Sequence, residues 1–259
     1  MPLIVLLLLA LGLGSLGGLV AWRYLPTYRI AAILAAVGWV VFGACAYAIG
    51  SSPQPTGIDS TVATWAHNHA SPISTRVLET VTQLGDIYIV AALAIVLAVV
   101  ETLRERNVWV VPFLVAVIVG EALLATTVKQ LTDRARPTLN PAAAALGPAF
   151  PSGHSTTAAA FYAAAALLLC RRRDRRTRSM LAALATGIAV AVATTRVLLD
   201  LHWLTDVVGG LLLGWVWFTT CSLAFRERIL RAEPRSASGS SPARRRRRLT
   251  HDEPRARDG

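Results

Sequence analysis

From Leu3 to Trp22 the chain runs twenty residues without a charged side chain. Further apolar runs follow at Ile30 to Gly50, Ile87 to Val100, Val108 to Val128, Ser155 to Cys170, Met180 to Thr195 and Val207 to Phe225. A hydrocarbon layer about 30 Å thick takes roughly 20 helical residues to cross, and backbone inside it must satisfy its own hydrogen bonds. The pattern therefore predicts an all-α, polytopic transmembrane helix bundle with seven candidate spans. The third, fifth and sixth runs are short, so their helices are expected to extend into the flanking residues. With 54% apolar and only 16% charged residues, an ordinary soluble domain is excluded. The net charge of +11 is segregated between apolar runs rather than spread over a face, which speaks for a bilayer and against a nucleic-acid partner.

Lys and Arg accumulate on the cytoplasmic side of membrane proteins. Assigned to alternate connections, 21 of the 26 basic residues fall in one set (Arg23, Arg29, Arg104, Arg106, Arg171 to Arg178 and Arg226 onward) and 5 in the other (Arg76, Lys129, Arg134, Arg136 and Arg196). The Arg171 to Arg178 loop and the C-terminus are thus expected in the cytoplasm and, with seven spans, the N-terminus outside. Four of the five outward basic residues crowd into two short segments, against the prevailing rule.

The N-terminal run has no basic flank before it and no clear cleavage site, so it is expected to be a retained span, residues 1–28. A membrane domain would cover 29–225 and a disordered Arg-rich tail 226–259. That tail suits either attraction to anionic headgroups or a solvated topology anchor, and the Arg171 to Arg178 loop reads as solvated. Arginine so dominates over lysine, with Lys129 alone, that a GC-rich bacterial genome is suggested. Cys45, Cys170 and Cys221 sit in apolar runs and imply neither a disulfide nor a zinc site.

The outer loop from Ser51 to Asp86 reads as two short helices, the first capped by Asp59 or Ser60, the second by Ser71 with Pro72 behind it and Gly85 near its end. Trp65, Leu78 and Val81 would lie in the headgroup layer. His67 and His69 should point to different faces rather than share a metal. Glu121 either lines a substrate crevice or makes a polar helix–helix contact.

Three clusters place polar groups at the outer ends of apolar helices, where burial is costly without function. Lys129 and Arg136 are two helical turns apart, so a helix persisting to Pro137 would aim both cations at one oxyanion. Pro151-Ser152-Gly153-His154 precedes the fifth run: Ser152 can cap the helix, Gly153 lets backbone approach a ligand, and amides there would meet an anion. Arg196, His202 and Asp206 form the third cluster, with His202 and Asp206 at a spacing that, on a helix, lets the carboxylate accept from one ring nitrogen. Each cluster alone also fits a bland role as anchor, cap or structural pair.

Together they resemble the type 2 phosphatidic acid phosphatase superfamily, whose signature is K-x6-R-P, P-S-G-H and S-R-x5-H-x3-D. Lys129, Arg136 and Pro137, then Pro151 to His154, then Arg196, His202 and Asp206 match in order and spacing, with Thr195 where the family usually has Ser. The resemblance covers roughly Asp59 to Phe225. It implies a six-helix core, leaving the first run as an added span, and a lipid phosphate substrate: a polyprenyl diphosphate, phosphatidylglycerol phosphate or phosphatidic acid. It also implies that His202 attacks phosphorus to give a phosphohistidine, that Asp206 orients its ring, and that His154 protonates the leaving oxygen and then activates water. Lys129, Arg136, Arg196, Ser152 and the Gly153 amide would hold the phosphate, with no metal and no cofactor. A phosphotransferase passing phosphate to an alcohol fits the same residues. A non-catalytic phospholipid-binding or transport protein fits less well, since binding needs only the cations. Oligomeric state is left open.

Overall fold

A computed structural model of the protein describes residues 28–230. The expected first span, Leu3 to Trp22, and the tail beyond residue 230 lie outside the described residues. The chain is a transmembrane bundle of α-helices: α1 (Tyr28–Ser51), α2 (Gly57–Asn68), α3 (Pro72–Thr82), α4 (Ile87–Glu105), α5 (Val110–Thr132), α6 (Gly153–Cys170), α7 (Arg175–Leu198), α8 (Leu204–Ala224) and α9 (Arg226–Leu230). Six of these, α1 and α4 to α8, are long and apolar enough to cross a membrane. The three short apolar runs do extend into their flanks, to Glu105, back to Gly153 and back to Arg175.

Local chemistry sets the ends. Asp86 caps α4 by accepting from the amides of Tyr88 and Ile89, and Asp174 caps α7 through the Arg176 amide. Ser71 caps α3 with Pro72 behind it, as expected, and Gly85 ends the short 3-10 turn that follows. The cap of α2 is neither Asp59 nor Ser60 but Thr56; Asp59 stands at the third helical position and its carboxylate reaches back to the Thr56 amide. Left-handed residues stop α4 at Arg106 and α5 at Asp133.

Helix α6 is the centre of the bundle and packs against α4, α5, α7 and α8. Its Ala-rich sequence lets neighbours come close. On the α8 side two glycines one turn apart complete the fit: a Cβ at Gly210 would lie 2.6 Å from the Ser152 carbonyl oxygen, and one at Gly214 would lie 2.4 Å from that of Thr156. This is the small-residue packing that brings membrane helices together where lipid offers no hydrophobic drive. Glu121 makes the polar contact of the α5–α6 seam and does not line the site: the buried Thr157 hydroxyl donates to it at 2.6 Å.

The spans alternate in direction, so residues 52–86, 133–152 and 199–203 gather at one end of the bundle and 106–109 and 171–174 at the other. The second end is not only solvated arginine. Arg171 pairs with the buried Glu101 at 2.8 Å and donates to the Ile229 carbonyl, and Arg172 pairs with Glu105 at 2.8 Å. Residues 226–230, expected in the disordered tail, form α9, with Ile229 buried and Arg228 stacked over Trp109. The thiols of Cys45, Cys170 and Cys221 are free.

Candidate active site

All three polar clusters meet at the first end, though by routes that differ from helical spacing. Helix α5 stops at Thr132, and Asp133 in the left-handed region (φ 42°) turns the chain away. Arg136 therefore lies on a loop, not two turns up a helix from Lys129. The two cations still converge, because both donate to the Pro148 carbonyl: Lys129 Nζ at 3.0 Å and Arg136 Nη2 at 3.3 Å. Arg136 is held further by the carbonyls of Gly147 and Leu201 at 2.8 and 2.7 Å.

His202 likewise precedes its helix, since α8 begins at Leu204. The amides of Leu201 and His202 both fold back onto the Arg196 carbonyl at 3.1 Å. That closed turn is why five residues separate the arginine from the histidine. Asp206 sits in the first turn of α8 and is fixed by the Trp203 amide, which donates to Oδ2 at 2.9 Å. The second cluster joins the third through the Ser152 amide, which donates to the Asp206 carbonyl at 3.0 Å. Ser152 stands at the N-cap of α6 without capping it by its side chain; its hydroxyl accepts from Ser155 instead. The first amides of α6 are thus not taken by a cap, and a Cβ at Gly153 would meet nothing within 4 Å. Space and donors coincide there, as an anion requires.

The protonation of His202 follows from its neighbours. Arg136 Nη1 lies 2.9 Å from Nε2, and a guanidinium can only donate. Nε2 therefore carries the lone pair and the proton is on Nδ1, which faces Asp206 Oδ2 at 3.6 Å, too far for a hydrogen bond in this state. Burial pushes the imidazole well below its ordinary value, and the charges of Arg136, Arg196, Lys129 and His154 push the same way. The ring is held neutral, with a nucleophilic lone pair among cations. Burial also lowers the Arg136 guanidinium, opposed by the charge of Asp206. Arg196 is buried and donates to the Thr82 hydroxyl at 3.1 Å. His154 lies in the first turn of α6, with the Gly85 turn against its backbone: a Cβ at Gly85 would be 2.9 Å from the His154 carbonyl oxygen.

Sequence alone points to the motif residues of this pocket but not to Arg134, Thr205 or Thr82, and to Asp59 only as a helix cap. Arg134 is 1% exposed and grips two carboxylates. Its Nη1 donates to Asp206 Oδ1 at 2.6 Å and to the Thr205 hydroxyl at 2.6 Å, and its Nη2 donates to Asp59 Oδ2 at 2.8 Å. Asp59, fully buried, also accepts from the amide and hydroxyl of Thr205 at 3.0 Å. Two arginines two residues apart look alike in sequence; only the requirement that a fully buried charge be paired marks this one. His67 and His69 go separate ways, as expected, His67 to Asp200 at 3.0 Å and His69 stacked on the half-exposed Trp65.

The comparisons agree with this geometry. Residues 109–230, which contain all three clusters, match the model of the PAP2 superfamily. The chain is 30% identical over 128 residues to phosphatidylglycerophosphatase B of Bacillus subtilis (strain 168), an alignment covering 49% of this chain and 63% of that protein, less than two-thirds of the relative's length. A crystal structure described as the first transmembrane PAP2 type phosphatidylglycerolphosphate phosphatase from Bacillus subtilis shares the fold. Its TM-score is 0.67 at 26% identity, over 75% of this chain and 96% of that one. The chain is thus similar to the PAP2 (type 2 phosphatidic acid phosphatase) superfamily both in the sequence of residues 109–230 and in its helical fold.

Proposed function

We propose that the protein is an integral-membrane lipid phosphatase that removes the terminal phosphate of a lipid phosphate or diphosphate through a phosphohistidine. The observation that carries this reading is the neutral His202, its Nε2 lone pair directed at a guanidinium that a phosphate oxygen would take over. As substrate enters, its non-bridging oxygens replace carbonyls and imidazole as partners of Arg136 and Lys129, and the Thr82 hydroxyl as partner of Arg196. Nε2 then attacks phosphorus, the Nε2–P bond forms and the P–O bond to the lipid breaks. His154, which takes up a proton once the bound phosphate offsets the surrounding cations, gives that proton to the departing oxygen, and Asp206 supports the His202 ring as it becomes cationic. In the second step neutral His154 takes a proton from water, the hydroxide attacks phosphorus, and the P–N bond breaks to free inorganic phosphate. Charge on the transferring group is met by Lys129, Arg136, Arg196 and the first amides of α6, so the chemistry is proposed to need no metal.

Phosphatidylglycerol phosphate heads the candidate substrates because the Bacillus subtilis phosphatase matched in both sequence and structure is named for it; polyprenyl diphosphates and phosphatidic acid present the same terminal group. The site is proposed to face outside the cytoplasm in a bacterial plasma membrane. Of the described basic residues at its end of the bundle, all but Arg76 belong to the pocket, whereas the arginines of the opposite end fit the positive charge expected of cytoplasmic loops, which supports this orientation. The test is phosphate release from a panel of these lipids by purified protein in detergent with EDTA present, beside His202→Ala. Release that vanishes in the variant and survives EDTA supports the reading. Equal release by both proteins, or loss in EDTA restored by magnesium, would discard it.

A further inference from the structure

We infer that Arg134, held by Asp59, is a positioning residue for the nucleophile: it fixes the carboxylate of Asp206 so that Oδ2 stays on the Nδ1 side of His202. This rests on the phosphatase reading and gives a role to one of the variable positions inside the first motif. Asp206 has two oxygens and two tasks. Oδ1 is occupied by Arg134 Nη1 at 2.6 Å and Oδ2 by the Trp203 amide at 2.9 Å, with His202 Nδ1 at 3.6 Å. Remove the guanidinium and only the Trp203 amide still restrains the carboxylate about its terminal torsion, which has no sharp minimum of its own.

Charge gives a second reason. Asp59 and Asp206 both touch one guanidinium and both are fully buried. Two carboxylates that close in low dielectric resist being ionised together unless a cation stands between them. Arg134 keeps both ionised, leaving the trio with one net negative charge, which offsets the positive charge that His202 acquires when Nε2 bonds to phosphorus. The arrangement needs a planar fork: Nη1 serves Asp206 and Thr205 while Nη2 serves Asp59, and a lysine ammonium would not span them. Asp59 reaches this position through α2, whose third residue it is, so a helix outside the motifs is recruited to the nucleophile.

The substrate oxygens face Lys129, Arg136 and Arg196, not Arg134. Loss of Arg134 should thus lower kcat and spare KM. The experiment is a double-mutant cycle of Arg134→Lys with Asp206→Asn on phosphate release by the full-length protein in detergent, with each variant's melting curve used to correct for the folded fraction. Arg134→Lys is expected to lower kcat by about 10- to 100-fold with KM within about threefold of wild type in the Asp206 background. In the Asp206→Asn background it should cost less than about threefold, because an effect transmitted through the carboxylate is not additive with its loss. Asp59→Asn, nearly isosteric, should reproduce the pattern more weakly and serves if Arg134→Lys fails to fold. Equal losses in both backgrounds, a loss that appears in KM alone, or full kcat per folded molecule would overturn the positioning role while leaving the phosphatase reading intact. A wild-type protein no more active than His202→Ala would remove both.

Discussion

The glycine at 210 couples stability to catalysis, and the size of the coupling follows from distances. Replacing it by alanine puts a Cβ 2.6 Å from the Ser152 carbonyl oxygen, 3.0 Å from Ser155 Cβ and 3.2 Å from Thr156 Oγ1. The nearest obstacle is backbone, so it cannot be relieved by rotating a side chain. Restoring ordinary contact means moving from 2.6 to 3.4 Å, a retreat of α6 from α8 of about 0.8 Å. Overpacking of this kind costs about 1–3 kcal/mol, and the intrinsic preference of alanine over glycine in a helix returns about 0.8–1 kcal/mol. A net loss of about 0–2 kcal/mol is expected. The functional loss should be larger in proportion. The displaced carbonyl belongs to Ser152, whose amide donates to the Asp206 carbonyl, so the turn proposed to bind phosphate and the proposed partner of His202 would part by most of an ångström. Misplacement on that scale costs up to about 10²-fold in rate. Gly187 is the control: it lies within α7 and a Cβ there meets nothing within 4 Å, so Gly187→Ala should raise stability by about 0.5–1 kcal/mol with activity unchanged. Thermal unfolding in detergent and initial rates of phosphate release decide the matter. If Gly210→Ala melts and turns over like wild type, or the two variants behave alike, the close-packing argument is wrong.

The membrane bundle was readable because charge-free runs of twenty residues have few other uses, and each expected span within the described residues became one. The meeting of the three motifs was not derivable from helical spacing. Lys129 with Arg136, and His202 with Asp206, were expected to lie together on helices, yet Arg136 and His202 are both on loops. They meet instead because backbone carbonyls act as shared anchors, Pro148 for the two cations and Arg196 for the His202 turn. Carbonyls are invisible to a reading of side-chain types. Arg134 escapes such a reading for a related reason: its partners are 75 and 72 residues away in sequence, and no local pattern distinguishes it from Arg136, the arginine proposed to hold phosphate. Glu121 shows the opposite case. A lone acid in an apolar run suggested either a crevice or a helix contact, and the residue that chose between them, Thr157, looked like one more small residue of an Ala-rich helix.

Further outcomes follow from the same geometry. In intact cells an impermeant thiol reagent should label Ile58→Cys and leave Arg173→Cys untouched, in a background lacking the native cysteines; the reverse pattern would invert the proposed topology. Thr157→Val removes the donor to buried Glu121 and should lower stability by about 1–3 kcal/mol without changing kcat per folded molecule, and a fall in kcat would return Glu121 to the site. Acid should destabilise the protein through two groups. Burial raises the Asp59 carboxyl, but the hydrogen bonds from Thr205 and Thr56 and the Arg134 guanidinium outweigh it and leave it below its ordinary value. Its stabilisation is present above the unfolded value of about 3.9 and is lost as pH falls through the lower folded value. His202 is likewise depressed, so its share is present above about 6.5 and declines as pH falls below that, where the unfolded ring takes a proton that the folded one refuses. The melting temperature should therefore drop between pH 7 and 5, less so in His202→Gln; a flat profile would mean that the ring is protonated in the fold. The histidines should also divide by leaving group. If His154 donates the proton to the departing lipid alkoxide, His154→Ala should slow lipid phosphate hydrolysis by about 10²- to 10⁴-fold. It should slow an activated aryl phosphate far less, since a phenolate that leaves unprotonated asks nothing of the acid. His202→Ala should abolish both, because no P–N bond can form with either substrate. Equal sensitivity of His154→Ala to the two substrates, or a phosphohistidine trapped on His154 in the His202→Ala protein, would reverse the roles assigned here.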